Sequence, residues 1–322
     1  MYVNENDDLW FDIDDSHPLN QEQWCYSIVF NNEGNIMVSC SGKFLKIWKF
    51  QGGNLSYDKK RFILKAHQQD INTLCYSKQT NMFVSGGDDQ TIKIWSLGAN
   101  NQFSQQQALQ TQSWILSSLL KKDDSQLFIG CWDGRLLIFQ KNGNSYSEFQ
   151  NINSHKAQIY SISLNNSQNT ILTQGWDKKL VIFSSQGGNW KEEKSIQLEK
   201  NGFRASFIDN DQFIYQPLES ASTELYQVSY NKNIEKKNVN LDLPVCQDDK
   251  AFFVNQYNEQ KGLFSIKINN MVFVMKKGNG DQYQKLNTIN FQDNQIFGTL
   301  SPNFDYLVAW SKSAKSYKIE KI

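Results

Sequence analysis

IGCWDGRLLIF, residues 129–139, is nearly restated by TQGWDKKLVIF, residues 173–183, with Asp133 and Asp177 standing 44 positions apart. A third version, VSGGDDQTIKIW, puts Asp89 another 44 positions upstream, and VSCSGKFLKIW ends at Trp48, 47 positions before Trp95. Self-similarity at a fixed period in the range of about 20–50 residues marks an array, because one unit cannot bury its apolar face alone.

Each copy holds short alternating runs broken by turn residues, a pattern of strands rather than helices. In the second copy DINTLCYS leads to NMFVSGG, then QTIKIWSL, then the more polar NQFSQQQALQ. Gly, Asn, Asp and Ser crowd the breaks, where tight or left-handed backbone is needed. Four short antiparallel strands per unit follow, and an all-β chain.

The stretch AHQQDINTLCYSKQTNMFVSGGDDQTIKIW, residues 66–95, carries a His, an Asp 22 positions later and a Trp six beyond that. It resembles the WD-repeat family of β-propellers. The resemblance implies a hydrogen-bonded tetrad inside a blade: His67, Ser85, Asp89 and Trp95 in blade two. In blade four it implies His155, Thr173 and Asp177, with Phe183 in the Trp place, where no hydrogen bond can be donated. Blade three keeps Asp133 and Phe139 but has Thr111 at the His position, and blade one keeps Trp48 without a turn Asp.

After Phe183 the signature fades and the strand rhythm continues. FRASFI, QFIYQ, ELYQVSY and NIEKKNVNL suit a fifth blade; AFFVNQY, LFSIKI, MVFVMKK and QYQKLNTI suit a sixth. QIFGTLS, DYLVAWS and KSYKIEKI supply three strands of a seventh, and LWFDID at residues 9–14 is a strand lacking a blade. Pairing the two ends removes exposed sheet edges. The expectation is a seven-bladed propeller of four-stranded antiparallel blades, closed by the N-terminal strand. Residues 1–322 would form one such domain, with clear motifs in 20–185 and degenerate blades in 186–322.

Composition limits the function classes. Lys and Arg total 33, Asp and Glu total 33, so no excess positive charge draws the chain to nucleic acid. No apolar run approaches the roughly 20 residues of a membrane helix, and the acidic MYVNENDDLWFDIDD is unlike a signal peptide. Five cysteines without metal-ligand spacing read as buried reduced thiols. An intracellular protein is expected, with the cytoplasm favoured over the nucleus and no membrane insertion.

A Ser, a His and an Asp in one unit invite a hydrolase reading. Here they recur at repeat spacing with a Trp, which suits a folding device better than a nucleophile. No phosphate-binding glycine loop opens a helix, and the three histidines form no metal set. No catalytic, cofactor or metal site is expected. Alignment of the strands instead places Trp24, Asp70, Trp114 and Gln158 where inner strands begin, and Asp88, Trp132 and Trp176 just before the turn Asp. In the family these two loop sets share one propeller face. Trp24, Asp70, Asp88, Trp114, Trp132 and Trp176 are therefore candidate partner contacts, since Trp anchors are enriched at interfaces. Packing of these rings on neighbouring loops is the competing reading. The expected function is a non-enzymatic scaffold, monomeric on its own, that binds protein partners in a larger assembly without touching nucleic acid. A reader of a short, modified or unmodified, basic peptide is the alternative, and an enzyme subunit a further one.

Overall fold

The computed structural model describes residues 19–56, 63–220, 223–229, 231, 233–278, 280 and 282–322. Strands and turns account for these residues, and no helix occurs among them. Blade two sets the pattern with Ile71–Tyr76, Met82–Gly87, Thr91–Leu97 and Phe103–Gln110, hydrogen-bonded in that order. Blades three and four repeat it from Ile115–Leu120 to Ser145–Asn153 and from Ile159–Leu164 to Asn189–Gln197. Second strands are buried along their whole length because neighbouring blades cover both of their faces, whereas fourth strands alternate with solvent.

Short polar side chains join the inner strands around the ring. Ser27 Oγ accepts from the Leu74 N–H at 3.0 Å, and Thr73 meets Ser118 at 2.8 Å. Ser117 Oγ donates to the Ile159 carbonyl at 3.0 Å, and Ser161 Oγ to that of Ala205 at 2.7 Å. Satisfied polar groups of this kind fix the spacing of blades that apolar packing alone would let slide.

Blade five, Gly202–Phe207, Gln212–Pro217, Glu224–Val228 and Ile234–Lys237, falls where its strand rhythm predicts. Blade seven has three strands of its own: Ile296–Leu300, Tyr306–Ser311 and Ser316–Lys321. Its outer place is taken by the segment at Leu19–Gln21. Asn20 bridges to Ser316, the Gln21 N–H reaches the Lys315 carbonyl at 2.7 Å, and the Tyr317 N–H reaches that of Leu19 at 3.0 Å. Seven antiparallel blades thus close into a ring through an N-terminal segment. The predicted strand at residues 9–14 lies outside the described residues.

Two elements differ from expectation. The outer strand of blade one is split into Asn54–Ser56 and Ile63–Lys65, which pair with opposite ends of Phe44–Gln51. In blade six the expected inner strand AFFVNQY is reduced to Tyr257–Asn258, ahead of Leu263–Ile268, Met271–Lys277 and Tyr283–Asn290. Phe252 adopts φ 69°, outside the strand region for a bulky residue. The carbonyls of Lys250 and Phe253 accept from the Arg204 guanidinium instead of a ladder.

Candidate partner-binding face

The tetrads form as chains of hydrogen bonds. In blade two His67 Nδ1 faces Asp89 Oδ1 at 2.9 Å, and Nε2 meets Ser85 Oγ at 2.7 Å. Trp95 Nε1 donates to the same Oγ at 2.9 Å. Asp89 also accepts from the Gln68 N–H and from Thr91. Burial alone would raise the Asp89 carboxyl, but the bond from His67 and those from Gln68 and Thr91 hold it well below the usual range. Blade four repeats the arrangement, with His155 at 3.0 Å from Asp177 and 2.8 Å from Thr173, and with Phe183 fully buried. Ser85 is fully buried and its oxygen is shared by His67 and Trp95, so no substrate can reach it.

Degraded blades use substitutes. In blade one Trp48 Nε1 donates to Ser39 Oγ at 2.8 Å, and the third member is Tyr317, whose hydroxyl contacts Ser39 at 2.8 Å from the last blade. The same hydroxyl donates to Gln21 Oε1 at 2.8 Å, tying tetrad and ring closure together. In blade three the Arg135 Nε pairs with Asp133 at 2.7 Å in the absence of a His. Between blades five and six a buried trio replaces the tetrad. Asp249 takes Arg204 Nη1 at 2.7 Å and also Lys267 Nζ, which donates further to the Asn294 carbonyl at 2.8 Å.

The face where the inner strands begin divides into two aromatic regions. Trp114 and Trp132, from adjacent loops of blade three, meet edge to face with centroids 4.9 Å apart, and remain 40% and 42% exposed. Trp24 and Trp176, placed in the same candidate set, are half-buried. Trp176 stacks on Phe203 at 5.0 Å; Trp24 stacks on Tyr26 at 5.3 Å and carries Lys312 Nζ 4.0 Å above its ring. Asp70 and Asp88 lie in blade two, where the Asp88 N–H donates to the Asp70 carbonyl at 3.0 Å.

Sequence reasoning missed the residues that close the channel mouth. β-bulges in the inner strands of blades two to five fall at Asn72, Leu116, Tyr160 and Phe203, each one position after the first residue of its strand. A bulge re-aims its side chain. Phe252 of blade six contacts Tyr160 of blade four at 6.1 Å and Tyr26 of blade one at 5.2 Å. Contacts with two blades that are not neighbours of blade six turn this ring towards the centre of the propeller. The legible signal is a Tyr two residues after each of the aligned positions Trp24 and Gln158.

Comparison with known proteins agrees with this architecture. The family model of the WD domain, G-beta repeat, matches residues 15–49 and 58–96. Periodic tryptophan protein 2 of Saccharomyces cerevisiae is 22% identical over 129 residues, 38% of this chain and 14% of that protein. The human U3 small nucleolar RNA-associated protein 15 homolog is 24% identical over 123 residues, 38% of this chain and 22% of that protein. The matched stretch therefore spans under a quarter of either relative. The β-propeller domain of Myceliophteria_thermophila Cps50 (Swd1) superposes with a TM-score of 0.67 over 94% of this chain and 97% of that one, at 11% identity, a likeness of fold alone. The expectation of cytoplasm over nucleus is overturned here, because relatives of this chain are named for association with a small nucleolar RNA. With its repeated tetrads, its ring of seven blades and its two matched repeats, the chain carries WD repeats within a seven-bladed β-propeller.

Proposed function

We propose that this protein is a non-enzymatic scaffold that holds a partner protein against the propeller face carrying Trp114 and Trp132. The observation that supports the reading is the exposed edge-to-face pair itself. Two large apolar rings left to solvent are poor for a free monomer and good as anchors, since interface hot spots concentrate in Trp, Tyr and Arg. The names of the relatives support a nuclear, RNA-containing assembly as the setting. A balanced net charge of +0 favours contact with a protein of that assembly over direct contact with its RNA.

The test is the Trp114→Ala, Trp132→Ala double variant, assayed by recovery of partners from nuclear extract and by thermal melting. Each anchor should contribute about 2 kcal/mol or more to binding, so partner recovery drops while the melting temperature holds. A double variant that melts early yet recovers its partners would show that the rings only cover loops.

A further inference from the structure

We propose that the junction of blades two and three is a cation-accepting notch, where an Arg or Lys side chain of an extended partner segment sits between the Asp88 carboxylate and the rings of Trp114 and Trp132, with the charge of Asp70 adding to that of Asp88. The proposal rests on the scaffold reading of this face and specifies the chemistry of its occupant.

The geometry joins the two halves of the notch through Asn72. Its Nδ2 donates to Asp88 Oδ1 at 2.7 Å and to the Ile115 carbonyl at 3.0 Å. Asp88 is thereby pinned against blade three one residue from Trp114. The Asp70 carbonyl accepts from the Asp88 N–H, and the Asp70 carboxylate lies beside Gly42 of blade one, behind Asp88. Other acidic residues of the repeats have cationic or imidazole partners: Asp89 has His67, Asp177 has His155, and Asp133 has Arg135. Among the described residues neither Asp70 nor Asp88 makes an ion pair. Burial, and then the charges of Asp70 and Asp89, raise the Asp88 carboxyl against the opposing bond from Asn72. Burial, and then Asp70, likewise push the nearby Tyr26 phenol up to about 12. After burial, the charge of Asp70 contributes to both shifts, and an incoming cation would offset it.

The aromatic half lacks a cation in the same sense. On this face Trp24 already holds Lys312 at 4.0 Å, the distance of a close cation–π contact. Among the described residues no Lys or Arg lies over Trp114 or Trp132. A guanidinium is the better fit, since it can stack on a ring while its edge donates to a carboxylate. A nucleic-acid backbone is disfavoured, because Asp70 and Asp88 would repel its phosphates.

The full chain can be titrated with amidated hexa-arginine, hexa-lysine and a neutral Gly-Ser hexapeptide. The indole Nε1–H resonances of Trp114 and Trp132 are followed, assigned through Trp114→Phe and Trp132→Phe. Both basic peptides should shift these two resonances saturably with a Kd at or below about 1 mM, and the neutral peptide should not. Asp70→Asn with Asp88→Asn, which keeps the amide bond to Asn72 feasible, should weaken binding about tenfold or more. The idea is overturned if the basic peptides leave the two resonances unmoved, if the neutral peptide moves them equally, or if the double Asn variant binds as well as the parent. Partner recovery that survives the Asn pair but not the Trp double variant would remove the notch and leave the scaffold standing.

Discussion

His67, Ser85, Asp89 and Trp95 behave as one buried unit, so truncating any member strands the others. Asp89→Ala should cost about 1–3 kcal/mol, the range for an unpaired buried polar group, read as a lower midpoint in urea unfolding. The depressed Asp89 carboxyl also fixes a pH dependence. A carboxylate with a lowered folded pKa stabilises above its unfolded value and loses that contribution as pH falls through the folded value. Acid titration of Asp89→Asn should therefore show a shallower loss of stability below about pH 4 than the parent. The Arg204, Asp249 and Lys267 trio obeys a different balance, with two buried cations for one carboxylate. Asp249→Asn removes the shared counter-charge and should cost about 3–5 kcal/mol. Lys267→Met leaves Asp249 with Arg204 and should be neutral or stabilising. Burial first, and the Arg204 charge next, lower the Lys267 ammonium to about 8. Because the unfolded chain keeps that proton to higher pH, the parent should gain stability relative to Lys267→Met as pH rises from about 8 to 10. Denaturant unfolding of both proteins at pH 7 and 9.5 checks the sign. The blade-two and blade-four sets were legible in the sequence because they keep the family spacing, whereas Arg204, Asp249 and Lys267 are distant in sequence and share no motif.

At the level of the strand, the closing segment and the last blade depend on one another. Tyr317 supplies the hydroxyl that blade one lacks, and Trp310 Nε1 donates to the Gln21 carbonyl at 3.0 Å. Tyr317→Phe should cost about 1–3 kcal/mol, because Gln21 Oε1 loses its donor and the Ser39 hydroxyl loses one of its two partners. Removal of residues 1–22 should cost more, since it also bares the edge of Ser316–Lys321 at Asn20 and raises the risk of edge-to-edge association. Thermal melting and light scattering on the two variants test that order; equal melting of the truncated and full chains would overturn it. Three C-terminal strands in search of a fourth were readable from strand rhythm. The residues that complete the blade were not, because Leu19–Gln21 has no alternating pattern and pairs with the last blade through partners nearly 300 positions away.

Across the whole ring, blades are fastened unequally. Blades two and four carry complete or near-complete side-chain chains, while blade six begins with a two-residue strand and a carbonyl run held by Arg204. Backbone outside a ladder opens more easily than backbone within one. Amides of residues 251–256 should exchange with solvent sooner than those of 71–76 or 159–164, and equal protection by mass spectrometry would contradict this. By itself the sequence determined the repeat, the strand number of blades two to five, the tetrads and the likeness to WD repeats, because each depends on local alternation and a fixed spacing that a linear reading preserves. Tertiary structure alone decided which tryptophans are exposed, since exposure depends on neighbours from other blades: Phe203 covers Trp176 and Lys312 covers Trp24, whereas among the described residues Trp114 and Trp132 make ring contacts only with each other. It also turned Phe252 towards the centre of the propeller and placed Tyr317 in the first blade's tetrad, two results of ring closure, which brings together residues that no period relates.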